Sequence, residues 1–171
     1  MSIQQPEPWL RGPNLALHPI ARPLAHSLTQ VREDLEHWTE GMTPEELWAR
    51  PMELGPVGFH IRHIGRSADR LTSYIEGAQL SEAQMARLKS EMAPGATRDE
   101  LLAELEENLL RCESVVEALD PRTWHDERGV GRKMLPTTVG GLVTHIAEHS
   151  QRHVGEAIVT AKVVKALRGS A

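Results

Sequence analysis

Histidines at positions 145, 149 and 153 recur every fourth residue. In an α-helix that spacing stacks the side chains on one face. A pair such as His149 and His153 brings two imidazole nitrogens within reach of one ion, the physical basis of His-x3-His metal sites. Two ligands hold a metal poorly, and a third from another segment closes the site. The segment Phe59-His60-Ile61-Arg62-His63-Ile64 offers one, because His63 follows apolar Ile61 at the edge of a buried face. His63, His149 and His153 would give three neutral nitrogen donors. Coordination positions would stay open to water or substrate, as catalytic metal sites require. Three imidazoles suit zinc, nickel, copper and iron(II) alike.

The neighbours divide two ways. A histidine on an apolar face is otherwise a hydrogen-bonded core residue. Three such imidazoles without a metal would each need a partner inside the fold. His60 lies one turn before His63, and His145 one turn before His149. Each either lines the site and supports a ligand, or sits at the surface. Glu148 is adjacent to His149 and points about 100° away, so it is no ligand. Glu156, three residues after His153, is a candidate base or supporting partner, or else an exposed helical glutamate. Other chemistries fit less well. The chain holds no HExxH, no GxSxG and no phosphate-binding glycine motif. A ferritin-like di-iron site needs paired Glu-x-x-His motifs, and the nearest approach is a single Asp34-x-x-His37. Cys112 falls on an inward stripe and reads as a buried, inert thiol.

The elements that must carry these residues are helices. Residues 1–18 hold prolines and breaks and read as an extended arm packed by Trp9 and Leu10. From Ile20, apolar residues recur at Leu24, Leu28, Val31, Leu35 and Trp38, one face of a helix that Gly41 stops. Thr43-Pro44-Glu45-Glu46 is a capping box for a short helix. A second long helix runs from about Val57 to Glu76, with Ile61, Ile64, Ala68, Leu71 and Ile75 inward. Ser81 with Gln84 opens another short helix, and Thr97 with Glu100 caps a third long one. Residues 120–136 read as a loop, and Thr137 or Thr138 caps a fourth long helix to about Leu167. No segment alternates with period two, so no sheet is expected. Four long and two short helices predict an all-α four-helix bundle: an arm over 1–18 and one domain over 19–168.

Composition sets the outer limits. The 171 residues are 40% hydrophobic and 25% charged, with a formal net charge of −5. That balance is ordinary for a globular chain and lacks the basic excess of a nucleic-acid binder. One cysteine excludes an intrachain disulfide and fits a reducing compartment. No apolar run approaches the roughly 20 residues that span a bilayer, and the N-terminus has no apolar signal core. A soluble, cytoplasmic protein is expected.

The run from Leu142 to Glu156, Leu-Val-Thr-His-Ile-Ala-Glu-His-Ser-Gln-Arg-His-Val-Gly-Glu, resembles the last-helix signature of the DinB/YfiT-like metalloenzymes. Val57 to Ile64 resembles that family's second-helix motif, and Leu135-Pro136-Thr137-Thr138 its lead-in. The similarity spans roughly residues 20–165. It implies a bundle of up-down-down-up topology and a divalent metal, zinc or nickel, on the histidines matching His63, His149 and His153. It implies a homodimer, and for some members S-transfer or isomerisation with a low-molecular-weight thiol. The chain departs from the family's His-Arg-Gly-Gln with His153-Val154-Gly155-Glu156.

The expected function is therefore a metal-dependent enzyme acting on a small molecule, a thiol-dependent S-transferase or a metal-assisted hydrolase. The alternative is a non-catalytic ligand-binding or dimerisation module with a structural metal. The metal is expected in a pocket between the second and fourth long helices. Arg122, Arg128, Arg132 and Lys133 either cover its mouth or form a solvated loop.

Overall fold

The computed structural model describes residues 5–168. Helices α1 (Ala21–Trp38), α3 (Val57–Ile75), α5 (Arg98–Glu117) and α6 (Val139–Arg168) are long; α2 (Pro44–Leu47) and α4 (Glu82–Lys89) are short. The caps form as the sequence predicts. Thr43, Ser81 and Thr97 each accept from the backbone amide three residues on, and each is bonded back by Glu46, Gln84 or Glu100. Thr138 Oγ1 accepts from the Gly141 amide at the start of α6. Gly77, at a φ of +78°, turns the chain out of α3 in a conformation that costs glycine little.

Side-chain pairings fix the topology. Gln151 bonds Ser27, and Lys165 bonds the Trp38 carbonyl, so α6 runs parallel to α1. His60 meets His153 and His63 meets His149, so α3 runs antiparallel to α6. Arg66 pairs with Glu104 and Arg111 with Asp69, so α5 runs parallel to α3. Arg32 on α1 bridges Glu106 and Glu113 on α5, which closes the ring. The order is up-down-down-up. The bundle's interior is apolar, with Leu28, Val31, Leu35, Ile61, Ile64, Leu109 and Cys112 fully buried. Gly65 permits the α3–α5 approach, because a Cβ there would lie 3.1 Å from the Leu105 backbone.

Two expectations need correction. Residues 120–136 are not all loop, and a sheet exists: β1 (Glu127–Val130) pairs antiparallel with β2 (Leu135–Thr138). Proline in β2 is tolerated because a two-stranded ribbon consists of edges. The arm is not packed by Trp9 and Leu10, which are exposed; among its described residues Pro8 is the buried one. Residues 1–4 of that arm lie outside the described residues. Among the described residues, no helix is long and apolar enough to cross a membrane.

Candidate metal centre

The helical period sets the site. On α6, His149 and His153 stand one turn apart, with ring centroids 4.6 Å from each other. On the antiparallel α3, His63 faces both. Its Nε2 lies 2.9 Å from His149 Nε2, and its ring centre lies 4.4 Å from that of His153. One donor atom from each of His63, His149 and His153 falls within 4.8 Å of the others. Imidazole nitrogens sharing a zinc ion at about 2.0–2.1 Å would stand roughly 3.3 Å apart in tetrahedral geometry. The donor set therefore fits a divalent ion. Phe59 stacks on His63 and meets His153 edge-on, giving the cluster an apolar wall.

The electrostatics favour ligation. Burial, reinforced by the neighbouring histidines, pushes His149 and His153 down from 6.5 to about 4. Both are neutral at pH 7, the form that offers a lone pair. Burial also lowers His60.

The same depression makes stability pH-dependent. The unfolded chain binds protons at these two sites near 6.5, and the folded chain only near 4. Their contribution to the metal-free protein is thus complete above about pH 6.5 and is lost as pH falls toward about 4. Urea midpoints at pH 7 and pH 4.5 should fall further for the wild type than for the His149→Ala/His153→Ala double variant. Equal falls would refute the account.

The supporting residues separate cleanly. His60 is buried, and its Nδ1 lies 3.0 Å from His153 Nδ1. Glu156, half exposed, brings a carboxylate oxygen to 3.4 Å from His60 and 3.6 Å from His153. His145 turns outward instead: it bonds Glu148 at 2.7 Å on the exposed face and touches the cluster only through the His149 ring.

Sequence reasoning missed Glu91. Its Oε2 lies 2.7 Å from His63 Nδ1, and its Oε1 accepts from Arg70 at 2.6 Å. Burial opposes its charge, but the bonds from His63 and Arg70 outweigh that and hold the carboxyl below its ordinary value. Arg62, stacked over Trp48, donates to the carbonyls of Ser90, Glu91 and Ala93 and so pins the segment that carries Glu91. The sequence signal for this was slight: a glutamate beside the Pro94-Gly95 break.

A scan against protein-family models matches the DinB superfamily over residues 27–157. The chain belongs to the DinB superfamily. The match takes in His63, His149 and His153 of this DinB-like chain. No curated protein matches it. The basic segment does not cover the centre. Arg128 donates to the Ile75 carbonyl at the far end of α3, and Arg122 pairs with Asp120. Twelve residues of helix, about 18 Å, separate Ile75 from His63. A cleft of about 850 Å³ also lies at that far end, lined by Tyr74, Leu80, Met85, Leu88, Lys89 and Arg132.

Proposed function

We propose that this DinB-like protein is a metal-dependent enzyme in which His63, His149 and His153 hold one divalent ion, zinc or nickel. We further propose that it transfers a low-molecular-weight thiol to a small electrophile. The observation that carries the reading is the 2.9 Å approach of two Nε2 atoms from antiparallel helices, with a third imidazole one turn away. Such an ion supplies a Lewis acid that lowers the pKa of a bound thiol or water toward neutrality. The chain's own residues do the rest. The three imidazoles orient the site from two rigid helices. Phe59 excludes water from one side. Glu156, exposed at the edge, can take a proton as the thiol or water binds. Cys112 is not the thiol: it is buried, and burial pushes it up to about 11. The sulfur must therefore come from a separate small molecule.

The zinc- or nickel-loaded protein should turn over an electrophilic acceptor with glutathione, bacillithiol or mycothiol. The rate should saturate in thiol and vanish in His149→Ala. Turnover that ignores every thiol tested would sink S-transfer and leave metal-assisted hydrolysis.

A second reading has its own observation. His60, His153 and Glu156 also bring three donor atoms within 4.8 Å. If one of them closed the coordination sphere, the ion would be structural and the module non-catalytic. The absorption spectrum of the cobalt(II)-substituted protein, with and without an added thiol, separates the two. A spectrum that responds to thiol marks an open position, whereas an unchanged four-coordinate spectrum marks a closed one.

A further inference from the structure

We infer that two hydrogen-bonded chains fix which ring nitrogen His63 and His153 turn to the ion: Glu91 behind His63, and His60 with Gly55 behind His153. The inference rests on the three-histidine reading and concerns residues outside it.

A neutral imidazole carries one N–H and one lone pair, and only the lone pair ligates. Either nitrogen may hold the proton in water, so an unsupported ligand spends part of its time in the wrong tautomer. For His63 the choice is made by Glu91. A carboxylate only accepts, so the proton sits on Nδ1, 2.7 Å from Glu91 Oε2. The lone pair is left on Nε2, the atom that faces His149. Arg70, bonded to the other carboxylate oxygen, keeps Glu91 ionised and in place.

For His153 the choice is made one residue further back. His153 Nδ1 and His60 Nδ1 stand 3.0 Å apart, and one of them must donate. The far side of His60 decides which. A Cβ on Gly55 would lie 2.7 Å from His60 Nε2, so that nitrogen rests directly against the Gly55 backbone. The Gly55 backbone also favours a proton on His60, the effect that an acceptor carbonyl has. A carbonyl accepts and cannot donate, so the His60 proton is on Nε2 and its Nδ1 is the acceptor. His153 then donates from Nδ1 and keeps its lone pair on Nε2. Thr160 donates to the same Gly55 carbonyl at 3.1 Å and anchors it to α6. Glu156 Oε2 lies 3.4 Å from His60 Nδ1 and 3.6 Å from His153 Nδ1, so it can accept from either and leaves the choice to Gly55. His60 and Glu91 are thus positioning residues, and glycine at 55 leaves the space that the His60 ring needs.

The test reads tautomers and affinity together. Two-bond proton–nitrogen NMR on the zinc-free protein at pH 7 should show Nδ1–H for His63 and His153 and Nε2–H for His60. His60→Leu should shift His153 away from pure Nδ1–H and weaken zinc binding about 10–100-fold in competition with a chromophoric chelator. His60→Asn, whose Oδ1 can accept at the Nδ1 position, should restore both to near wild type. Glu91→Gln should weaken zinc binding without moving the His153 tautomer. Nε2–H on His153 in the wild type would overturn the inference. So would a His60→Leu variant that keeps the wild-type fold by circular dichroism and binds zinc as tightly. Wild-type protein with the stated tautomers but no zinc affinity would overturn the three-histidine reading instead.

Discussion

Alanine at His63, His149 or His153 is expected to remove the metal, each substitution acting alone. Zinc sites with four protein ligands bind with about 10–16 kcal/mol at neutral pH, so one ligand is worth about 2.5–4 kcal/mol, roughly 70- to 900-fold in affinity. A site of three ligands has no spare donor to absorb that loss. Protein purified without a polyhistidine tag should carry about one equivalent of a single metal by mass spectrometry, and each variant almost none. His145→Ala is the matched control. It removes an imidazole from the same helix, yet His145 bonds Glu148 on the exposed face, so that variant should keep its metal. Metal-free wild type after reconstitution with zinc and nickel would make the three histidines packing and hydrogen-bonding residues. Loss of metal in His145→Ala would mean that the centre extends one turn further along α6.

The spacing of His149 and His153 made half of this site legible, because a four-residue step on a helix has one geometric meaning. His63 was legible for a second reason: it lies at the edge of the apolar face that runs through Ile61 and Ile64, both of which the structure buries. Glu91 was not legible. It lies 28 residues from His63, just past the end of α4, and neither period nor capping pattern points from one to the other. Only the fold, through Arg62 and three carbonyls, brings that segment over the site. The roles of His60 and His145 were open for a related reason. Each stands one turn from a proposed ligand, so sequence spacing treats them alike. The antiparallel packing of α3 on α6 buries His60 against His153, whereas His145 lies exposed. The β1–β2 ribbon escaped because its strands are four residues long and contain Gly129 and Pro136, which erase any alternation. Its basic residues read either as a cover for the mouth or as a solvated loop. The ribbon instead docks through Arg128 on the carbonyl of Ile75, at the end of α3 away from the histidines.

The second large effect lies in the packing, and it links the bundle to the site. Leu28 is fully buried on α1, a helix that contributes no candidate ligand. Leu28→Ala should cost about 2–5 kcal/mol from lost burial and the cavity left behind. At this chain length that lowers Tm by about 2–4 °C per kcal/mol. The proposed ligands sit on α3 and α6, so the variant should still take up metal. An ion held between those two helices binds the folded chain, and zinc at 100 times its Kd would return about 2.7 kcal/mol. Zinc should therefore raise the Tm of Leu28→Ala toward the metal-free wild-type value. In a Leu28→Ala/His149→Ala variant, the same zinc should raise it little. The contrast separates a cross-link between α3 and α6 from zinc bound elsewhere on the surface, because only the first requires His149. Equal zinc stabilisation in both backgrounds would show that His149 takes no part in the cross-link.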